Sequence, residues 1–332
     1  MNIALTPLNA ASPARRARRS RWPAALIAVL VTSWCVLLLA QADAGQRTRW
    51  ITVFVALVLQ AMPFLVLGVC VSAAITAFVN PSVLRRLVPN RPAFGVPVAC
   101  GAATLLPGCE CSSVPVAARL LGLGVPGPAA LAFLLAAPAV NPVVLTATLV
   151  AFPGRPEIAI ARFVASWLAA AAVGLLWARL GVPISLPKRF AHARYTPGRR
   201  RMVVLAGTVA EDFAYSAGYL TIGAGLAATL QALLPRTVAN AAATLGPVGV
   251  LALALLAVAI AVCSEADAFL AASFRQFSVT AQLAFMVVGP MVDVKLIALQ
   301  VGTFGRRMAL RFAPLTFVVA VLAAASVGVM IR

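Results

Sequence analysis

Two stretches decide how this chain folds. Pro107-Gly108-Cys109-Glu110-Cys111-Ser112-Ser113-Val114-Pro115 interrupts an apolar run over 94–121, and Cys263-Ser264-Glu265-Ala266-Asp267 interrupts another over 246–275. Each break sets carboxylates, thiols and hydroxyls in the middle of a segment otherwise fit for lipid. The composition around them identifies the solvent. Of 332 residues, 62% are hydrophobic and 11% charged, whereas a soluble domain is about half apolar and a quarter charged. Backbone polar groups in a bilayer must be satisfied within each segment, which predicts an all-α integral membrane protein.

Further apolar segments lie at 22–40, 51–79, 129–151, 157–180, 208–234, 279–300 and 312–331, seven full spans beside the two broken ones. Asn80-Pro81, Pro126-Gly127-Pro128 and Pro153-Gly154-Arg155-Pro156 punctuate them, because proline removes a donor and restricts the residue before it. The net charge of +19 comes from 27 Lys+Arg against 8 Asp+Glu. In so apolar a chain this excess marks cytoplasmic loops and not nucleic-acid binding. Basic loops fall at 80–93, 179–201 and 301–311, and the tail carries Arg15-Arg16-Ala17-Arg18-Arg19. If the broken segments crossed fully, the loop around 188–201 would lie outside. If each is a re-entrant helical hairpin, the N-terminus and all three basic loops are cytoplasmic, which the charge rule favours over single broken crossings. The organisation expected is a basic cytoplasmic tail (1–21), an extra span (22–45), a first transmembrane repeat (46–180), a basic cytoplasmic loop (181–207) and a second repeat (208–332).

The repeat is read from matching residues. Cys109 and Ala117-Ala118 lie 154 positions before Cys263 and Ala271-Ala272; Leu131-Ala132-Phe133, Pro138 and Asn141 lie 152 before Leu283-Ala284-Phe285, Pro290 and Asp293. Three full crossings per half would make the halves inverted, a recurring transporter design with the solute site at the repeat interface.

Intramembrane carboxylates are functional candidates by default, which singles out Glu110, Glu265, Asp267 and Asp293. The plainer alternative pairs Glu110 with Lys295 or Arg119, and Asp293 with Lys295. Cys109, Cys111 and Cys263 are the candidate ligands for a soft metal or metalloid; their plainer role is as small apolar residues at tight turns. Ser112 and Ser264 offer hydroxyls, and Asn141-Pro142 and Pro290-x-x-Asp293 place a polar group just past a helix-breaking proline, where helix ends expose backbone groups to an ion or solute. Glu211 and Asp212 follow the basic loop and are expected at the cytoplasmic interface.

The same motifs carry a family resemblance. Pro107 to Ala118, Ala130 to Pro142, Cys263 to Phe269 and Gly289 to Lys295 resemble the ArsP/YraQ-type predicted permease family, over about residues 50–330. The resemblance implies a multi-span bacterial membrane protein; some relatives export trivalent organoarsenicals, which suggests thiol contact through Cys109, Cys111 or Cys263. Glu110, an anion between two cysteines, is at odds with a simple site for a neutral arsenical.

The function expected is a secondary-type permease of the cytoplasmic membrane for a small solute, with a soft metal or metalloid as the candidate solute and a proton or cation as the coupling ion. The alternative class is a non-transporting subunit or scaffold of a larger complex. No Walker A loop, nucleophile elbow, His-Glu-x-x-His or dinucleotide fingerprint is present, so neither an enzyme nor a cofactor is expected. The charge distribution makes one direct prediction. A reporter fused at Tyr195 should score as cytoplasmic; labelling of that position from outside the cell would remove the hairpin topology.

Overall fold

In the computed structural model, residues 44–78, 84, 87–105, 108–182, 184, 201–233 and 247–331 are described. The expected tail and first span, and most of the loop at 181–207, lie outside them. The chain divides between Arg47 and Thr48 into two compact units. Only the start of one helix is described for the first unit, and every later helix belongs to the second. Regular structure among the described residues is entirely helical: α1 Ala44–Phe78, α2 Pro92–Ala103, α3 Glu110–Gly122, α4 Gly127–Ala139, α5 Pro142–Ala151, α6 Pro156–Leu180, α7 Arg201–Leu233, α8 Pro247–Ile260, α9 Asp267–Ser273, α10 Val279–Met291, α11 Val294–Phe304 and α12 Arg306–Met330.

Six stretches are long and apolar enough to cross a membrane: Gly45–Ile75, Gly127–Ala151, Pro156–Leu180, Val209–Ala232, Val279–Phe304 and Arg306–Met330. Two of them are broken in the middle. α4 and α5 make one span interrupted at Val140-Asn141; α10 and α11 make another, interrupted at Val292-Asp293. These broken spans are the innermost of the six, 78% buried against 28% for Gly45–Ile75 and 39% for Arg306–Met330. Helix starts follow the sequence, with proline at the first positions of α2, α4, α5 and α6, where its missing N–H is an orphan donor anyway. Gly181 ends α6 with φ +61°, a left-handed cap that glycine adopts at little cost.

The segments at 94–121 and 246–275 are broken as expected, and each folds back on itself as a helical hairpin. In the first, Val96 near the start of α2 and Pro128 and Ala132 near the start of α4 all crowd Gly174 of α6. At the other end, the Asn141 side chain donates to Gly108 O at 3.0 Å. α2 therefore rises beside α4 to the level of its break, and α3 returns beside α4 to the short turn at Leu123–Pro126. In the second, Gly289 near the end of α10 faces both Ala257 of α8 and the Asp267 carboxylate, while Gln282 near the start of α10 donates to Phe274 O at 2.9 Å. α8 thus rises with α10 and α9 returns. At 12 and 14 residues, α2 and α8 span about 18–21 Å, short of the roughly 30 Å hydrocarbon core. α8 stops where Ala261, a buried non-glycine residue, takes φ +51°. Such a backbone costs on the order of 1–3 kcal/mol and persists only where its surroundings enforce it.

Large apolar side chains such as Leu59, Ile160, Leu255 and Leu322 remain exposed on the outer helices, the surface that meets acyl chains. Inside, contact depends on small residues that let backbones approach, the usual basis of helix association in lipid. A Cβ at Gly68 of α1 would stand 2.4 Å from Ser112 Cα in α3, and one at Gly223 of α7 would stand 2.7 Å from Lys295 Cα in α11. Both hit backbone and cannot be relieved by a rotamer change. Gly68→Ala is therefore expected to destabilise the detergent-solubilised protein by about 1–3 kcal/mol, read as a lowered Tm. Gly101→Ala, where nothing lies within 4 Å, should leave Tm within error.

Candidate functional site

The two hairpin tips meet. Cys109 is the N-cap of α3 with extended backbone (φ −88°, ψ 176°), and Glu110 is that helix's first residue. Cys263 lies in the unwound turn between α8 and α9. The Sγ atoms of Cys109 and Cys263 and a carboxylate oxygen of Glu110 all fall within 4.8 Å of one another, and all three residues are buried. Cys111, fully buried in the first turn of α3, is a third thiol close in the chain to this cluster. Cys70, Cys100, Cys109, Cys111 and Cys263 are free thiols. Two soft sulfurs and one hard oxygen converge in a region sealed from solvent. The donor set fits a soft metal or metalloid.

Around this triad, buried charges are paired, as an interior of low dielectric demands. Lys295, at the start of α11, places Nζ 3.0 Å from Glu110 Oε1 and 3.7 Å from Asp293 Oδ2. Arg162, in the second turn of α6, places Nη2 2.7 Å from Asp267 Oδ2 and 3.2 Å from Ser264 O, while its Nη1 donates to Thr148 Oγ1 at 2.9 Å. Arg162, Lys295, Glu110 and Asp267 are each at most 1% exposed. Arg119 meets Asp212 at 2.8 Å, with both side chains buried. Oxygens remain unspent here: Glu110 Oε2, Asp267 Oδ1 and Ser264 Oγ are buried without a hydrogen-bond partner.

The candidates from the sequence thus separate into groups. Cys109, Glu110, Cys111 and Cys263 come together. Glu265 is half-buried and accepts from the Cys263 thiol at 2.8 Å. Asp267 opens α9 and is held by Arg162. Asn141 and Asp293 are N-caps of α5 and α11, accepting from Val144 N and Leu296 N; Asn141 also donates to Ala137 O and Gly108 O, so its hydrogen-bonding capacity goes into joining the first tip to the break in its own span. Ser112 donates back to Cys109 O at 2.8 Å, within its own helix turn. Of the pairings weighed for Glu110, Lys295 is the partner and Arg119 is not. Asp212 turns inward to Arg119, while its neighbour Glu211 stays exposed.

Arg162 was not among the residues singled out from sequence. The signal was present: a base well inside the apolar stretch Pro156–Leu180, with no acid three or four residues away. Intramembrane bases call for the same suspicion as acids, and attention to acids alone misses this one.

Known proteins resemble this chain over most of its length. Residues 48–329 match the ArsP_1 family, described as predicted permease, and the chain belongs to that family. It is 32% identical over 281 residues to the UPF0718 protein YcgR of Bacillus subtilis (strain 168), covering 83% of this chain and 95% of that protein. It is 27% identical over 289 residues to a protein of Streptococcus mutans serotype c (strain ATCC 700610 / UA159) named putative two-component membrane permease complex subunit, covering 84% and 95%. No solved structure matches. The protein is therefore a multi-span membrane permease by family.

Removing one member of a buried ion pair strands the other and typically costs about 3–5 kcal/mol, whereas replacing both by apolar groups is often neutral. Arg162→Leu should accordingly lower the yield of folded protein and its Tm. Adding Asp267→Leu should recover most of the loss, as measured by size-exclusion monodispersity and thermal unfolding.

Proposed function

We propose that the protein is a secondary permease which carries a soft metal or metalloid solute on the thiols of Cys109 and Cys263. One observation carries this reading: the two sulfurs and the Glu110 carboxylate lie within 4.8 Å of one another where the hairpin tips meet. Thiol ligands select soft metals and metalloids, and a site built from two hairpin tips at mid-membrane is where transporters with broken helices hold their solutes.

Packing supports an inverted arrangement of residues 46–180 and 208–332. α3 of the first half packs on α11 of the second, and α5 of the first packs on α9 of the second. The two hairpins thereby dip from opposite faces, with the N-terminus and basic loops cytoplasmic on the charge rule. Four carboxylates (Glu110, Glu265, Asp267 and Asp293) face two bases, Lys295 and Arg162, around the tips, an acidic excess suited to a coupling proton or cation. The second reading, a subunit of a larger permease complex, draws on the name of the Streptococcus mutans relative.

The test is a sensitivity screen of a deletion strain against arsenicals, antimonials and soft metals. The wild-type chain should restore resistance to at least one of them. Cys109→Ser and Cys263→Ser should each abolish it at normal membrane abundance, with Cys111→Ser as a third arm. Full resistance in the double Cys109/Cys263 variant would reduce the thiols to packing. A strain with no phenotype, whose protein purifies with a stoichiometric partner, would favour the subunit reading.

A further inference from the structure

Acids are scarce enough in this chain that long stretches carry bases alone. No Asp or Glu occurs between Glu157 and Glu211, and none follows Asp293. Three arginines from those stretches stand on the outer surface at one end of the molecule. α12 buries Met308, Ala309, Phe312 and Ala313 and turns Arg307, Leu310, Arg311, Val318 and Leu322 outward, one stripe at helical spacing. Arg307 and Arg311 head that stripe, one turn apart and therefore neighbours on the helix surface. Arg179 ends the outer stripe of α6, beyond Ile160, Val164 and Leu168. The two helix ends adjoin, because α6 packs on α12 and Trp177 meets Phe312 edge to face with ring centroids 5.4 Å apart. Arg179, Arg307 and Arg311 are all exposed, and none forms an ion pair among the described residues.

We propose that Arg307 and Arg311, with Arg179 at the adjoining helix end, bind the headgroup of an anionic phospholipid whose acyl chains lie along Leu310, Val318 and Leu322. The site is separate from the hairpin tips and does not depend on what the permease carries. Depth favours a lipid over a soluble anion. α12 has 25 residues, about 37 Å of helix against a hydrocarbon core of roughly 30 Å, so less than one turn stands clear at each end. Arg311 lies more than a turn in, at the edge of the hydrocarbon, with the exposed Leu310 beside it. A charge facing lipid there is costly unless it reaches the headgroups or meets an anion. A guanidinium does both at a phosphate, which its planar fork takes through two hydrogen bonds. The first turn of α12 holds no acid, so the positive end of the helix adds to the attraction. A zwitterionic headgroup brings its own cation to the same place and cancels the gain. On the charge rule this end lies in the cytoplasmic leaflet, where anionic lipids attract basic segments.

The experiment follows thermal unfolding of the purified full-length protein in a neutral detergent as phosphatidylglycerol is added in steps. Phosphatidylcholine and inorganic phosphate are the other two arms. Phosphatidylglycerol should raise Tm to a plateau, and the other two should leave it within error. Its apparent affinity should fall about fivefold in Arg307→Gln and in Arg311→Gln, and on the order of 25-fold in the double variant, the weight of one surface arginine each. Arg275→Gln removes an exposed arginine between α9 and α10 and should keep the wild-type affinity. If the double variant does not fold, the two single variants are read in its place. Equal stabilisation by phosphatidylcholine, or by phosphate alone, overturns recognition of an anionic lipid. Undiminished affinity in the folded Arg307 and Arg311 variants, or an equal loss in Arg275→Gln, overturns its placement on α12.

Discussion

Everything in this fold depends on the cost of an unpaired charge in the bilayer interior. Glu110 and Asp267 open the return arms of the two hairpins, and each is met by a base from the other half: Lys295 for Glu110 and Arg162 for Asp267. Neither half is electrically satisfied alone. The pairs contribute modestly to stability compared with an apolar alternative, since desolvation offsets much of their attraction. What they supply is registry. A tip displaced by one helical turn would strand a carboxylate in an apolar interior, so the pairs fix where the tips stop and bring Cys109 to Cys263.

Half-helices make that meeting point possible. A continuous helix turns its backbone groups inward and leaves nothing at mid-membrane for a solute to approach. Here α3, α5, α9 and α11 all begin at a hairpin tip or at the break of an interrupted span, and the residues at their starts carry carboxylates or a carboxamide, the groups that favour a helix N-terminus. Asn141 and Asp293 close their own helices, which frees Glu110 and Asp267 for the bases. Gly68 and Gly223 let α1 and α7 lie against the backbone of α3 and α11, clamping the tips from outside.

Much of this was legible in the sequence, for physical reasons. The bilayer filters composition so strictly that span positions follow from hydropathy, and the basic loops at 80–93 and 179–201 argue for hairpins over crossings. The breaks announce themselves through Pro107-Gly108 and the polar run at Cys263–Asp267. The convergence of Cys109 with Cys263 was suggested by the matching residues spaced about 154 positions apart. The charge pairing was less legible. Arg162 and Asp267 are 105 residues apart and Lys295 and Glu110 are 185 apart, distances at which pattern carries no contact information. A basic loop before Glu211 and Asp212 does not reveal that the register of α7 turns Asp212 inward to Arg119 while Glu211 faces out.

The geometry ties solute binding to the relation between the halves. The triad draws one sulfur from each hairpin, and it is sealed; the cavity beside the first tip, lined by Gly68, Gly108 and Ser112, is about 20 Å3, room for a water and no more. On the proposed reading, a solute bridging Cys109 and Cys263 binds only when both tips are in place and reaches them only when one side has opened. Opening on either side must move a tip, and a moving tip carries its carboxylate relative to the base that holds it. The ion pairs and the solute therefore stabilise the same closed state, and a solute shifts the equilibrium only through its differential affinity for that state. A bridging ligand meets this condition, because a single thiol on one displaced tip offers half of its bonds.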